Sequence, residues 1–353
     1  MPVVSAELRK MGVFDKLQER GIFNTHGITW RGLDGAPLAM FPAAEPVLTL
    51  GQDKVAQALL ETIGAECPSV KVVFGQRVVG VEQAEGKVRV MTTSNEEDYV
   101  FNAKFLIGCD GANSAVRRMS LIPFEGFTWR NFRFTAADVE YDFQKHCDIP
   151  VANFVVDEEN WAVVAKTGKE NIWRVCYGER PDLPADEASV LERSAARIRR
   201  WIGNMNKDGN TDYVLRRLKP YWAHQRCAQT YRKGNVLLAG DAAHSNNPIG
   251  GLGLTGGILD AVVIGNALVR HLRAGEPDAL VTGAVEARRQ TWLEVINPVS
   301  QQNFRRLCSV EASDATERET FFGQLNTADP AFLAMLGNPK FLLPDAFEAP
   351  PKI

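Results

Sequence analysis

Residues 235–261 contain the sequence features best suited to bind a ligand. An apolar run ends just before Asp241, and the carboxyl ends of strands are where open α/β sheets hold ligands. Pro248 follows, then a stretch of glycines that includes Gly251 and Gly253, and then a helix rich in small residues. Glycines let backbone amides approach a flat ligand closely, and a helix N-terminus favours a partly anionic group. A turn that only packs a helix against a strand is the alternative for an isolated glycine cluster.

A second candidate segment begins at Asp110, about 130 residues earlier. The apolar run 105–107 fits a fully buried parallel strand, which places Asp110 at its carboxyl end. Gly111 permits a tight turn, and Ser114 is placed to cap the helix that follows. Taken alone, this pattern fits an ordinary strand–turn–helix junction equally well.

The rest of the pattern supplies the elements that position these residues. Apolar spacing predicts helices over residues 5–20, 52–63, 185–202 and 255–272. Short apolar or alternating runs predict strands at 70–74, 77–82, 87–92, 105–107, 153–156, 161–166, 172–177 and 236–239. The runs at 105–107 and 236–239 are of the parallel type and flank the alternating runs. The sequence therefore predicts an α/β, Rossmann-like domain interrupted by an insert of α+β character with mainly antiparallel strands.

Composition and charge exclude several classes of protein. The chain has 353 residues, of which 45% are apolar and 24% charged, and its net charge is −3. That balance is typical of a globular protein, and Lys and Arg form no nucleic-acid footprint. No run approaches the ~18 uninterrupted apolar residues of a membrane-spanning helix, and the N-terminus lacks the apolar core of a signal peptide. We expect a cytoplasmic protein with no nucleic-acid partner and no membrane span.

The cysteine pattern argues against a metal site. The six cysteines are scattered along the chain, with no Cys-x-x-Cys and no zinc-finger spacing. We expect free buried thiols and no bound metal.

The order of residues in both segments resembles two motifs of the FAD-dependent aromatic-hydroxylase family of flavoprotein monooxygenases, which includes phenol and hydroxyphenylpropionate hydroxylases. In one motif, Gly-Asp-Ala-Ala-His precedes a Pro, a Gly-x-Gly and a helix that ends in Asp-Ala. The matching residues are Gly240, Asp241, Ala242, Ala243, His244, Pro248, Gly251, Gly253, Asp260 and Ala261. Segment 107–117 is similar to the family's other motif, Gly-x-Asp-Gly-x-x-Ser-x-Val-Arg.

The resemblance implies a monooxygenase that uses FAD, with NADPH or NADH as co-substrate and O2, to hydroxylate a phenolic or polyketide-like small molecule. It implies that Asp241 bonds the ribityl chain, that Pro248 borders the flavin and that Asp110 lies near the pyrophosphate. The full set of implied cofactor contacts is Gln52, Asp110, Asp241, Pro248, Gly251, Gly253, Leu254 and Thr255.

Several of these assignments carry qualifications. The amides of Gly253 and Leu254 would stabilise negative charge on the reduced ring, and Thr255 stands where many family members have Asn. Gln52 has an alternative role as a polar residue that faces water at the start of a helix. No catalytic base is nominated, and His244 is assigned to the structural part of its motif.

The resemblance also implies a domain division. A discontinuous FAD-binding domain would occupy 1–118 and 232–310, a substrate-binding domain 119–231 and a C-terminal extension 311–353. Family members open with a Gly-x-Gly-x-x-Gly turn, and none precedes Gln52. We therefore expect one βαβ unit, ~30–45 residues, to be missing at the front. The alternatives are an inactive scaffold that no longer binds FAD and a flavin dehydrogenase of the same fold, and a homodimer is also considered.

Overall fold

A computed structural model describes residues 2–84, 86–337 and 342, which alternate between helices and strands. The helices are α1 (Pro2–Lys10), α2 (Phe14–Arg20), α3 (Gln52–Glu66), α4 (Ala115–Met119), α5 (Phe143–Cys147), α6 (Glu187–Met205), α7 (Leu252–Ala274), α8 (Ala279–Thr291), α9 (Asn297–Cys308), α10 (Ala312–Asn326) and α11 (Pro330–Gly337). A 3-10 turn covers Gly240–Ala242, and a π-helical turn, Trp292–Ile296, joins α8 to α9.

The strands are mostly short. They are β1 (Ile22–Asn24), β2 (Ile28–Arg31), β3 (Pro37–Phe41), β4 (Val47–Thr49), β5 (Arg77–Ala84), β6 (Lys87–Ser94), β7 (Glu97–Ala103), β8 (Leu106–Gly108), β9 (Phe124–Thr128), β10 (Arg133–Glu140), β11 (Ala152–Val155), β12 (Ala162–Lys166), β13 (Ile172–Glu179), β14 (Val214–Tyr221), β15 (His224–Ala228), β16 (Arg232–Lys233), β17 (Val236–Leu238) and β18 (His244–Ser245).

The described residues form two compact units. Unit 1 comprises residues 2–66, 129–223 and 302–337, and unit 2 comprises 67–128, 224–301 and 342. The predicted division differs, because it assigned 2–66 to the same domain as 67–118. The physical reason is that β2 pairs in parallel with β11, which joins the N-terminal strands to the sheet of the middle third.

Unit 1 is built on a seven-stranded sheet in the order β14-β10-β13-β12-β11-β2-β3. All its pairs are antiparallel except β11–β2. Helix α6 begins at an N-cap where the Asp186 side chain accepts a hydrogen bond from the Ser189 amide. Its apolar residues, which include Ile198, Trp201 and Ile202, share one buried cluster with inward-facing strand residues. This agrees with the antiparallel, half-buried pattern predicted for the insert.

The aromatic residues of the insert form a packed core in unit 1. Phe304 lies at the centre of this cluster, with ring centroids 4.9 Å from Trp129, 5.2 Å from Phe134 and 5.1 Å from Trp161. Phe134 and Trp161 are completely buried. Edge-to-face and tilted contacts at these separations stabilise a core beyond the burial of area alone.

In the described residues, unit 2 contains α7 and three three-stranded sheets. Strands β16, β17 and β8 form one small sheet, and the pair β17–β8 is parallel. By length and composition α7 could cross a membrane, since its mean hydropathy reaches 1.7. However, 56% of that stretch is buried inside the protein, as in the core helix of a globular domain.

The structure corrects four of the predicted elements. The helix over 5–20 is two helices, because Gly12 adopts a φ of +72° between α1 and α2. Residues 70–74 form no strand, although they are apolar; Phe74 is 75% exposed. The helix predicted from 255 begins at Leu252, and Ile107 of the supposedly fully buried strand is exposed.

Candidate functional site

Two parallel strands bring the two predicted motifs to the same edge of a sheet in unit 2. In the pair β8–β17, Gly108 lies opposite Leu238, and the amide of Ala239 donates to the carbonyl of Gly108 at 3.0 Å. Asp110 follows the end of β8, and Asp241 follows the end of β17. Both carboxylates therefore lie at the carboxyl ends of neighbouring strands, as the sequence predicted.

The Asp110 carboxylate accepts hydrogen bonds from the start of α4. Its Oδ2 accepts from the amides of Ala115 at 2.7 Å and Val116 at 3.1 Å, and its Oδ1 accepts from Ser114 Oγ at 2.5 Å. Ser114 in turn accepts from the Arg117 amide at 2.9 Å, which confirms its predicted capping role. Asp110 thus satisfies backbone donors that a helix N-terminus leaves free.

Arg117 connects the two motifs. Its guanidinium donates to the carbonyl of Ala242 at 2.7 Å and to that of Ala112 at 2.7 Å. The same group lies over the ring of Phe124 at 3.8 Å, and the side chain is buried. Gly111, at a φ of +81°, makes the tight turn that the sequence predicted. This arginine fixes the turn after β8 to the turn after β17.

Asp241 differs from Asp110 because its carboxylate is free to meet a ligand. The side chain is exposed, and no described group donates a hydrogen bond to it. Partial desolvation by the surrounding protein raises the pKa of Asp241, and the nearby His244 opposes that rise. A carboxylate that lacks donors within its own chain is well suited to accept hydrogen bonds from hydroxyl groups of a ligand.

The N-terminus of α7 presents unsatisfied backbone amides. Gly251 is the N-cap residue, with a φ of +68°, and it has no side chain to cap the helix. An added Cβ at Gly251 would meet nothing within 4 Å, and at Gly253 it would meet only Asn246, at 3.8 Å. The positive end of the helix dipole and these open amides favour a group with negative charge.

The loop that carries Pro248 is held by a buried polar network centred on Asn247. The Asn247 side-chain amide donates to the Ser300 carbonyl at 2.9 Å, and its carbonyl accepts from the Ile249 amide at 3.0 Å. Gln225 Oε1 accepts from the backbone amide of Asn247 at 3.2 Å, and Gln225 Nε2 donates to Asn297 Oδ1 at 3.0 Å. Asn297 and Ser300 follow the π-helical turn, a feature frequently found at functional sites.

A second buried network supports the start of the same segment. Asp260 on α7 accepts from the Gly240 amide at 3.0 Å, from His244 Nε2 at 2.7 Å and from Arg288 Nε at 2.8 Å. Asp260 and Arg288 are fully buried, and His244 is nearly so. His244 Nδ1 has no hydrogen-bond partner, so the ring is held through its Nε2 bond to Asp260. The structural role predicted for His244 is consistent with this geometry.

Of the eight predicted cofactor contacts, one lies in unit 1 and the other seven lie in unit 2. Gln52 is exposed at the first position of α3, in unit 1. Asp110, Asp241 and the residues of the α7 N-terminus, including the partly exposed Leu254, lie in unit 2. Thr255 directs its hydroxyl to the carbonyl of Gly251 at 3.1 Å.

Comparison with known proteins identifies the family. The sequence model of a family described as "FAD binding domain" matches residues 6–297. A para-nitrophenol 4-monooxygenase from Pseudomonas sp. (strain WBC-3) is 33% identical over 93% of this chain and 81% of its own length. The 6-hydroxy-3-succinoylpyridine 3-monooxygenase HspB of Pseudomonas putida (strain DSM 28022 / S16) is 31% identical over 86% of this chain and 77% of its own length. The chain belongs to the FAD-dependent aromatic-hydroxylase family of monooxygenases.

A solved structure supports the same assignment for this flavoprotein monooxygenase. The p-nitrophenol 4-monooxygenase from Pseudomonas putida DLL-E4 superimposes with a TM-score of 0.87 at 31% identity. The match covers 97% of this chain and 87% of that protein. The predictions of fold class, FAD as cofactor and an FAD-dependent monooxygenase are therefore confirmed.

Unit 2 of the monooxygenase fits the flavin and ribityl part of FAD. Asp241 offers an unpartnered carboxylate to hydroxyl groups, and the α7 amides offer donors to a polarised ring oxygen. The loop before Pro248 adds two buried polar atoms without partners, Ser245 Oγ and Asn246 Oδ1. Buried polar groups are normally hydrogen-bonded, so these atoms indicate a ligand or water beside the loop.

Sequence reasoning assigned no role to three residues that position the candidate site. Arg117, Asn247 and Arg288 make their decisive contacts with residues 125, 53 and 28 positions away, respectively. No local sequence pattern predicts contacts between residues so far apart in the chain. The cysteines are free, and three of the six, Cys147, Cys176 and Cys227, are buried as expected.

Proposed function

We propose that this monooxygenase hydroxylates a small phenol. Support comes from two sources: the unpartnered Asp241 beside an uncapped α7 N-terminus, and 33% identity with a para-nitrophenol 4-monooxygenase. The identity with the para-nitrophenol 4-monooxygenase carries the choice of a phenol. The Asp241 and α7 groups support binding of the flat, polar cofactor that the reaction requires. The similarity to a monooxygenase whose name specifies a hydroxypyridine makes that compound class the second candidate substrate.

In this proposal the protein residues have separate tasks. Asp241 accepts hydrogen bonds from the ribityl hydroxyls, and the amides of Gly253 and Leu254 donate to the ring where negative charge develops. Pro248 borders the flavin on the substrate side. Bound FAD, reduced by NADPH or NADH, supplies the activation of O2 that no protein side chain can perform.

Two further contacts follow the same proposal. Asp110 acts near the pyrophosphate as a positioning residue, because its carboxylate is already engaged by α4 and it can hold the turn whose amides face the ligand. Gln52 contacts the cofactor from the start of α3. We do not assign a catalytic base, since His244 is enclosed in the Asp260 network.

The direct test is a stoichiometry experiment on the purified protein. FAD is titrated first, and then NADPH or NADH oxidation, O2 uptake and product formation are followed with 4-nitrophenol. We expect bound FAD, equal consumption of reduced nucleotide and O2, and one labelled oxygen atom in the product when labelled O2 is supplied. A reaction run without the phenol serves as the control for wasteful nucleotide oxidation.

The outcomes separate the alternatives. Nucleotide oxidation without any oxygenated product, across phenols and hydroxypyridines, would identify a dehydrogenase or reductase of the same fold. Failure to retain flavin at high FAD concentration would identify an inactive scaffold. Size-exclusion chromatography with light scattering decides whether the proposed homodimer exists, and fractionation of the native host decides the proposed cytoplasmic location.

A further inference from the structure

Unit 1 contains a surface cavity of about 450 Å³ beside the edge of its seven-stranded sheet. Strand β2 contributes Thr29 and Arg31 to the lining, and the segment around α5 contributes Gln144. Apolar walls are provided by Met40 and Ile149. Its size falls within the ~300–1,000 Å³ range of small-molecule sites, which combine apolar walls with a few polar groups.

Arg31 brings an incompletely compensated positive charge to this cavity. The residue is 91% buried, with an exposed fraction of 9%. Its Nε donates to Asn153 Oδ1 at 2.8 Å and its Nη1 to the Gly35 carbonyl at 2.9 Å, while Nη2 has no partner among the residues described. Buried guanidinium groups are normally paired with a carboxylate, and no described carboxylate lies within 4.0 Å of this one.

The acidic group that lines the cavity does not neutralise Arg31. Asp148 also lines the cavity, but it is exposed and forms its ion pair with Lys207 at 2.7 Å. Burial lowers the pKa of Arg31, and Asp148 only partly reverses that effect from a distance. The cavity therefore keeps one buried positive charge and a modest negative potential at its rim.

Thr29 adds a second unused donor on the same face of β2. Because side chains alternate along a strand, Thr29 and Arg31 point to one face and Trp30 to the other. Trp30 packs against Phe154 and Phe321, with ring centroids 5.5 Å from each. Thr29 is 95% buried, and in the described part of the chain its hydroxyl has no hydrogen-bond partner. The bulge in the β2–β3 pair places its extra residue, Leu38, on β3, so Trp30 and Arg31 remain consecutive on β2.

We propose that this cavity binds a small organic monocarboxylate with an apolar body. The carboxylate accepts hydrogen bonds from Arg31 Nη2, Thr29 Oγ1 and the side-chain amide of Gln144, whose carbonyl oxygen already accepts from Lys166 Nζ at 3.1 Å. The apolar body packs on Met40 and Ile149. A monoanion fits better than a phosphate dianion, because the Asp148 carboxylate repels additional negative charge. This site involves none of the residues assigned to FAD.

Isothermal titration of the full-length protein with benzoate tests the proposal. Thr29→Val removes only the hydroxyl, and Arg31→Lys keeps the charge but removes the planar fork. Each change should weaken benzoate binding at least about tenfold, the effect of losing one hydrogen bond to a charged group. Thr135→Val is the matched control: Thr135 is another buried threonine of the same sheet, on β10, which three strands separate from β2. It should leave the affinity unchanged.

The results distinguish this site from the aromatic substrate site. Benzoate binding that is equally strong in Thr29→Val and Arg31→Lys would overturn the proposal, because the ligand would then occupy another place. Absence of binding by the wild-type protein at millimolar benzoate would also overturn it, as would variant-sensitive binding of inorganic phosphate but not of benzoate. Hydroxylation of a phenol without benzoate should be the same in all three variants, which separates failure here from failure of the proposed function.

Discussion

The buried ion pair between Asp260 and Arg288 offers a quantitative test of how unit 2 holds its cofactor loop. Both side chains have no exposed surface, and Nε of the arginine lies 2.8 Å from the carboxylate. Asp260→Asn preserves the shape but leaves the arginine charge buried without a counter-charge. Such a loss typically costs about 3–5 kcal/mol. With an unfolding entropy of about 0.7 kcal/mol/K for a chain of this length, Tm should fall by roughly 4–7 °C.

Calorimetry of the flavin-free protein at pH 7 measures this effect directly. The matched variants are Asp260→Asn, Arg288→Met and the double substitution, which removes both charges together. The loss of unfolding free energy in the double variant should be smaller than the sum of the losses in the two single variants. The expected difference, which is the coupling energy, is roughly 1–3 kcal/mol. Additive losses, or a fall in Tm below about 2 °C for Asp260→Asn, would refute the ion pair as a stabilising contact.

The stability difference between the wild-type protein and Asp260→Asn should change with pH in one direction. Burial alone would raise the pKa of Asp260, but His244 and Arg288 outweigh burial and lower it. A carboxyl group whose pKa is lowered by folding stabilises the protein above its unfolded pKa of ~3.9, and this contribution disappears as pH falls through the folded value. The stability deficit of Asp260→Asn should therefore be full at pH 7 and shrink below about pH 4. A deficit that grows on acidification would contradict the assignment.

Three further substitutions separate ligand contact from scaffold. Asp241→Ala should weaken FAD binding about ten- to hundredfold, which a fluorescence titration measures. The flavin-free Tm should stay unchanged or rise, because the substitution removes a carboxylate whose pKa is raised in the folded protein; melting curves measure this. Asp110→Ala should instead lower flavin-free stability by about 1–2 kcal/mol, because it uncaps α4; an unchanged urea midpoint would contradict that role. Asn247→Ala should remove the side-chain hydrogen bonds to the Ser300 carbonyl and the Ile249 amide that hold the Pro248 loop, and so raise wasteful NAD(P)H oxidation relative to product. Preserved coupling would show that Pro248 is positioned by other contacts.

Elements with strong local patterns were predictable from the sequence. The alternating runs that became β11, β12 and β13 and the buried run that became β17 were each predicted to within a few residues. The N-cap at Ser114 was also predicted, since capping depends on residues within one turn. In these cases the information that decides the structure lies inside a short window.

The sequence did not predict those elements whose structure depends on residues far away in the chain. Residues 28–31 join the sheet of unit 1 through β11, more than 120 positions along the chain, and no local period reveals that pairing. Residues 70–74 have the apolar composition of a strand, but composition alone does not provide the hydrogen-bonded neighbour that a strand requires. The break at Gly12 was missed because the apolar spacing of the two short helices continues across it, and Leu8, Val13, Phe14 and Leu17 are all buried.

The length of the Gly-Asp motif has a physical explanation in the two networks beneath it. His244 and Asp260 belong to the fully buried set that fixes Gly240 and α7. Asp241 and Pro248 are exposed, and Gly251 stands at the uncapped N-terminus of the helix. An exposed carboxylate and free amides gain ligand affinity only if they are held in place before the ligand arrives, because ordering them on binding costs free energy. The motif is therefore long because it contains both the candidate ligand-facing groups and Asp260, which pairs with Arg288 and His244 beneath them.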